Sequence, residues 1–207
     1  MKEIYVFRHG ETDWNKAGRM QGHADIPLNE TGRQQAQVLR DYFAKHPIEV
    51  ILCSDLGRAK ETAEIAKGSL QIPIIFDPRQ RETNLGDAEG LTRDQIATQM
   101  HADIWHKWHS FPEHWDHRFP NGESKREHLD RIKGGLLEFL AKTSYSKIGL
   151  SSHGGSMRRL LHSLRPDVSE PIVVGNCYLF KLDYSPSRGQ GKELWVEDVN
   201  PLLHHSS

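Results

Sequence analysis

An arginine, a histidine and a glycine stand together at Arg8-His9-Gly10, at the end of the apolar run Ile4-Tyr5-Val6-Phe7. A neutral imidazole is nucleophilic near neutral pH, and a guanidinium matches the oxygens of a phosphate. Gly10 lets the chain turn sharply, so the ring of His9 need not be buried under the next stretch of chain. The combination predicts a histidine that attacks phosphorus. A similar grouping recurs at Ser152-His153-Gly154-Gly155, after the β-type run Lys147–Ser152. Two strands that both end in His-Gly are expected to present their imidazoles side by side. In that arrangement His153 holds an oxygen of the phosphate, and Gly154 with Gly155 makes room for close backbone approach.

The elements that must position these groups alternate along the chain. Ile4–Phe7 reads as a strand, and Asn29 as the N-cap of a helix to about Lys45, with Ala36, Leu39 and Phe43 on one face. Val50–Cys53 has the composition of a buried strand and precedes a helix from about Leu56 to Lys67; Ile72–Phe76 reads as a third strand. Ser124 and Glu127 form a capping-box pattern ahead of a helix that carries Leu129, Ile132, Leu136, Leu137 and Leu140. Strand Lys147–Ser152 and helix Ser156–Leu164 come next. Cys177–Tyr184 and Leu194–Val199 close the chain as two strands, compatible with an antiparallel pair across 185–191. The expected fold is therefore α/β: a three-layer sandwich with a mainly parallel sheet and helices on both faces. With no composition break or internal repeat, residues 1–207 are expected to form one domain.

Composition narrows the function. The 207 residues include 27 Lys+Arg and 28 Asp+Glu, a formal net charge of −1, which argues against a polyanion such as nucleic acid as the main partner. No apolar run approaches bilayer-crossing length, and Met1-Lys2-Glu3-Ile4 lacks a signal-peptide pattern, so the expectation is a cytoplasmic protein without a membrane partner. The two cysteines, Cys53 and Cys177, lie in β-like runs and are expected to be buried core residues rather than a disulfide.

Six spaced segments resemble the histidine phosphatase superfamily, the phosphoglycerate mutase-like proteins. They are Arg8-His9-Gly10-Glu11-Thr12 with Trp14-Asn15, Leu28 to Gly32 with Gln35-Ala36, and Ser54-Asp55-Leu56-Gly57-Arg58-Ala59 with Thr62-Ala63. Glu82 with Gly86 and Glu89-Gly90, Pro120 to Ser124, and Ser152 to Gly155 complete the family's order. The resemblance implies His9 as a nucleophile that forms a phosphohistidine, with Arg8, Arg58 and His153 as catalytic partners around the phosphate. Arg58, in the first turn of its helix, would gain from the amides and dipole there. Glu82 is the candidate proton donor, a partly desolvated carboxyl expected to stay protonated near neutrality, with Glu11, Asp87 and Glu89 as neighbouring carboxylates. Asn15, Gln21 and Gly154 are expected at the phosphate, and His23 is in the same loop. Residues 92–121 match the family's cap, an inserted segment over the active site rather than a second domain.

That cap carries His101, His106, His109, His114 and His117, interleaved with Trp105, Trp108, Phe111, Trp115 and Phe119. The i, i+3 pair His106/His109 could ligate a metal, but no cysteine or acidic cluster completes a site. The histidines are expected at the surface or pocket rim, and the aromatics in the core or along the substrate's organic part. His204-His205 reads as a disordered tail. The chain is thus expected to be a metal-independent phosphatase that hydrolyses a small-molecule phosphomonoester, with no metal and no organic cofactor. The sequence assigns no oligomeric state. The alternatives are a cofactor-primed phosphoglycerate mutase and a catalytically inactive binding relative. Against the mutase, Leu85 stands where those enzymes carry a tyrosine in Glu-x-x-Tyr-Gly. The cap also lacks their adjacent arginine pair, having only Arg93 and Arg118. Fewer charged holds are therefore expected around the substrate.

Overall fold

Ile4, Tyr5, Val6 and Phe7 are all buried, yet they serve two cores. Ile4 and Val6 join one apolar cluster, while Tyr5 and Phe7 join another. That is the period-two alternation of a strand covered on both faces. This strand, β1 (Lys2–Arg8), lies inside a six-stranded sheet. The structure is a computed structural model that describes every residue except 101–102, 111–112, 169–171, 190, 199–200 and 204–207. Phe111, His101 and the His204-His205 tail lie outside the described residues.

After β1 come α1 (Asp13–Lys16), α2 (Glu30–Lys45), β2 (Val50–Cys53), α3 (Gly57–Lys67) and β3 (Ile74–Phe76). The chain continues through α4 (Arg93–Gln99), α5 (Ile104–His109), α6 (Lys125–Lys142), β4 (Lys147–Ser152) and α7 (Gly154–Leu164). It ends with β5 (Leu179–Tyr184) and β6 (Leu194–Trp195). The strand order is β3-β2-β4-β1-β5-β6; the first four strands are parallel, and β5 and β6 join antiparallel. Helices α2 and α3 cover one face through Ala36, Leu39, Phe43, Ala59 and Ala63. Helices α6 and α7 cover the other through Ile132, Leu136, Leu140, Met157 and Leu160. The chain is a three-layer α/β sandwich.

Local chemistry explains the boundaries. Asn29 accepts from the Gly32 amide at 2.9 Å and starts α2. Ser124 and Glu127 close a reciprocal capping box at the start of α6. Three expectations are corrected. β3 begins at Ile74 rather than Ile72, and as the sheet edge it leaves Phe76 47% exposed. Cys177 is buried but lies outside β5, at φ 55°, where the chain turns and its amide meets the His9 carbonyl at 3.4 Å. β6 pairs only with Asp183 and Tyr184, because the chain leaves after Trp195 and returns at Leu203 to bridge Leu179.

A third cluster, Leu85, Ala88, Ile96, Ile104, Trp108 and Phe119, gives the cap region its own small core. Its seating depends on Lys125 in the first turn of α6. This side chain is fully buried, and its Nζ donates to the carbonyls of Lys107, Ser110 and Glu113 at 2.8–2.9 Å. A buried ammonium is costly unless it is saturated with acceptors, so these bonds hold the backbone after α5 against α6.

Candidate active site

The β1–β4 register pairs Arg8 with Ser152, so the next residues, His9 and His153, leave adjacent strands together. Their ring centroids are 5.3 Å apart. Glycine is required at position 10, two residues past β1, because a Cβ there would meet the Gly32 carbonyl oxygen at 2.3 Å; its amide is held by Thr62 Oγ1 at 3.1 Å. The His9 Nδ1 lies 2.7 Å from the Gly10 carbonyl. A carbonyl can only accept, so Nδ1 carries the hydrogen and Nε2 keeps its lone pair. Burial, with Arg58 and Arg8 close by, holds the ring well below the ordinary imidazole pKa. In the free protein His9 is neutral.

The cations around it are pinned from behind. Arg8 Nη1 donates to the Val174 carbonyl at 2.9 Å; Arg58 donates to the carbonyls of Ala24 and Gly22, each at 2.8 Å. His153 Nε2 meets Ser54 Oγ at 2.8 Å. In each case one nitrogen is left buried without a partner: Arg8 Nε, Arg58 Nε and His153 Nδ1. Buried polar nitrogens without partners are costly, and two arginine N–H groups with an imidazole nitrogen beside His9 describe a cradle for an anion. Burial lowers Arg8 to about 10, leaving it charged at neutral pH. The first amide of α3 is not free for that anion, since Gly57 donates to Asp25 Oδ1 at 2.7 Å.

Arg8, His9, Arg58, Glu82, Asn15, Gln21 and Gly154 all line one cleft of about 140 Å³, with His153 packed behind His9. Asn15 Oδ1 accepts from the Thr12 amide at 3.2 Å and from Asn176 at 3.3 Å, which turns its Nδ2 toward other acceptors. Gln21 Oε1 is buried and unpartnered. The two glycines after His153 have separate tasks. A Cβ on Gly154 would press on Arg8 Nε at 3.1 Å, and one on Gly155 would strike Glu82 Oε1 at 2.5 Å.

Glu82 is the single carboxylate lining the cleft among the described residues. It accepts from the amides of Gly155 at 2.8 Å and Thr83 at 2.9 Å, and its Oε1 lies 3.9 Å from His128 Nε2. Burial alone would raise its pKa, but His128, Arg159 and the two amides outweigh it and bring the carboxyl to about 2. The expected protonated acid is therefore corrected: in the empty cleft Glu82 is ionised. The other carboxylates are engaged elsewhere. Glu11 bonds Asn29, Asp87 bonds Asn121, and Glu89 accepts from the amides of His23 and Ala24. His23 itself meets the Glu82 carbonyl at 2.9 Å.

Several lining residues carry no motif in the sequence. Arg158 and Arg159, adjacent on α7, reach the cleft together with Arg19, Thr83, Trp108 and His109. Arg159 donates to Thr83 Oγ1 at 2.6 Å and His128 Nδ1 at 2.9 Å, and its guanidinium lies 4.5 Å over Trp108. The expectation of few charged holds is thus corrected: the arginine pair absent from 92–121 comes from α7. Of the cap histidines, His109 lies at the cleft mouth, His106 and His114 are exposed, and His117 meets the Ile104 carbonyl at 3.2 Å. Trp108 and Phe119 are core residues of the cap, and Trp108 also lines the cleft. No group of three or more metal-ligating side chains occurs among the described residues. No helix there is long and apolar enough to cross a membrane.

The family model of the histidine phosphatase superfamily (branch 1) matches residues 4–196. A probable phosphoglycerate mutase, GpmB, of Serratia proteamaculans (strain 568) is 33% identical over 207 residues, covering 99% of this chain and 95% of that relative. An uncharacterized phosphatase, PhoE, of Bacillus subtilis (strain 168) is 31% identical over 210 residues, covering 100% and 98%. Among solved structures, a mycobacterial glucosyl-3-phosphoglycerate phosphatase superposes with a TM-score of 0.78 at 29% identity, covering 88% of this chain and 93% of that one.

Proposed function

The chain belongs to the histidine phosphatase superfamily, and from that membership we propose that it hydrolyses a small-molecule phosphomonoester through a phosphohistidine on His9. The observation that carries this reading is the bond from His9 Nδ1 to the Gly10 carbonyl, which leaves the Nε2 lone pair free in a site where Arg8 Nε, Arg58 Nε and His153 Nδ1 are buried without partners. Nε2 attacks phosphorus, and the ester P–O bond breaks as the N–P bond forms. Arg8, Arg58 and His153 hold the equatorial oxygens, where charge spreads in the transition state. Glu82 protonates the leaving oxygen. Because it is ionised in the empty cleft, that proton arrives with the substrate. A phosphate monoanion beside a carboxylate is the same protonation state as a dianion beside a carboxylic acid. The alcohol leaves, Glu82 takes a proton from water, and the water oxygen attacks phosphorus. The N–P bond breaks, its electron pair returns to His9, and inorganic phosphate departs. The test is His9→Ala with p-nitrophenyl phosphate, together with acid-labile, base-stable phosphate on quenched wild-type protein. Undiminished turnover in a folded His9→Ala protein would refute the reading.

A phosphoglycerate mutase is the second reading, favoured by the arginine pair on α7. Leu85 favours hydrolysis, since it leaves an apolar wall where a tyrosine hydroxyl would help retain a product. Supplying 3-phosphoglycerate with a trace of 2,3-bisphosphoglycerate separates the two. Formation of 2-phosphoglycerate much faster than phosphate release would select the mutase. The one-domain organisation and the cytoplasmic setting belong to the same proposal, with a small phosphoester rather than nucleic acid or membrane as the partner.

A further inference from the structure

The cleft holds more positive charge than a phosphomonoester uses. Arg8, Arg19, Arg58, Arg158 and Arg159 line it, against Glu82 as the one lining carboxylate, in a chain whose formal charge is −1. Glu82 is the leading counter-charge for Arg8, Arg58, Arg158 and Arg159 alike. Glu82 is shared among four guanidinium groups, with Asp25, Glu89 and Glu123 acting only from outside the lining, so the cleft keeps an excess of positive charge. A phosphate dianion, cradled by Arg8, Arg58 and His153, satisfies the His9 end only.

The surplus is concentrated on one turn of α7. The Arg158 side chain makes no hydrogen bond or ion pair among the described residues, and it lines the cleft together with Arg8. Arg159 is 3% exposed, and its Nε is buried without a partner. Its other bonds, to Thr83 and His128, are to neutral acceptors, and Trp108 lies under its plane, so no carboxylate is bonded to it. Arg19 lies at the rim, fixed through Nη1 to the Gly90 carbonyl at 2.6 Å. Fixed guanidinium groups with open N–H donors are preorganised for carboxylate or phosphate oxygens. Met20, Leu85 and Trp108 supply the apolar wall between the two charged ends.

We propose that Arg158 and Arg159, with Arg19 at the rim, form a second anion subsite beside the phosphate cradle. The substrate is then a phosphomonoester that bears a further carboxylate or phosphate a few atoms from the scissile group. This rests on the phosphomonoesterase reading for which bond is cleaved, but the subsite binds its anion whether or not turnover occurs.

The test compares matched pairs on the full chain. 3-Phosphoglycerate and glycerol 3-phosphate differ by a carboxylate against a hydroxymethyl group, and fructose 1,6-bisphosphate and fructose 6-phosphate differ by a second phosphate. Charge-assisted hydrogen bonds in such a site are expected to favour the more anionic member by at least about tenfold in kcat/KM. The pair that shows the larger ratio identifies the second anion as carboxylate or phosphate. Arg158→Met should collapse the ratio toward one, and Arg158→Lys should restore part of it. If wild-type protein turns over none of these esters nor p-nitrophenyl phosphate, the phosphatase reading falls. The subsite is then judged by the same ratios in calorimetric titration. Ratios near one in both pairs, or a ratio that survives Arg158→Met, would overturn the proposal.

Discussion

Acidification should unfold this protein well before its surface ion pairs titrate, and the size of the effect can be worked from the site. His9, His128 and His153 are 3%, 0% and 0% exposed, and each is held well below the ordinary imidazole pKa. Burial is the leading cause in all three, followed by neighbouring arginines. A depressed folded-state pKa contributes stability that is fully present above the unfolded value and lost as pH falls. Between pH 7.5 and 5.5 the unfolded chain gains nearly one proton at each of these histidines while the folded protein gains almost none. Each such group then costs about 1.4 kcal/mol over the interval, so the three together remove about 4 kcal/mol. His162, also buried and shifted down, adds to the loss. Glu82 contributes nothing in this window, since with a pKa of about 2 it stays ionised in the folded state. The assay is urea unfolding followed by tryptophan fluorescence at pH 7.5, 6.5 and 5.5, with the denaturant slope checked for constancy. His9→Gln should reduce the loss by about one third. A change below about 1 kcal/mol in the wild type would mean that the histidines ionise inside the folded protein. His9 would then be a cation in the free cleft, and its assignment as nucleophile would fail.

The same geometry sets three other outcomes. Glu82→Gln should slow alkyl phosphoesters by about two to four orders of magnitude and activated aryl esters much less, because an aryl oxide leaves without a proton. Equal losses would move the acid role to another group. Lys125→Met removes the ammonium that holds the carbonyls of Lys107, Ser110 and Glu113. We expect KM to rise about tenfold while kcat changes less, with a Tm lower by several degrees, as about 1–3 kcal/mol of cap anchoring is lost; an unchanged KM would separate cap seating from substrate binding. Exhaustive chelation should leave activity intact, with Arg8, Arg58 and His153 carrying the transition-state charge. Loss restored by zinc would direct attention to His106, His109 and His117.

The parts of the site readable from sequence are those whose chemistry is carried by adjacent residues. Arg8-His9-Gly10 and His153-Gly154-Gly155 each combine a functional group with the backbone freedom that exposes it, and strand patterning is enough to bring them side by side. The alternation of Ile4 and Val6 against Tyr5 and Phe7 likewise comes from a two-sided strand. Arg158 and Arg159 are not legible, because neighbours on a helix point about 100° apart and a polar pair looks like a solvated face. Only the placement of α7 directly after β4 turns both toward the cleft. Thr83, His128 and Ser156 form a hydrogen-bonded group with no sequence proximity at all. Lys125 comes after a capping serine, where a lysine ordinarily faces water, and its burial depends on the cap folding back over α6. The ionised state of Glu82 is hidden for a related reason: burial by itself favours the acid, and the opposing amides of Thr83 and Gly155 are supplied only by the folded loop.

The pairing of β1 with β4 has a consequence for the order in which the protein is made. A ribosome-bound chain that has emerged only through Ser146 already contains Arg8, His9, Arg58 and Glu82, but β1 has no β4 to align against. The amide of Gly155 that orients Glu82 and both arginines of α7 are also still to come. The nascent chain therefore exposes its first strand and His9 long before either has its partners, and β5 arrives later still to pair with the other edge of β1. On the mechanism proposed above, phosphoryl transfer waits until β4 and α7 have joined the sheet. Competence for reaction with a phosphoester thus doubles as a sign that synthesis has passed α7 and that the middle of the sheet has been assembled correctly.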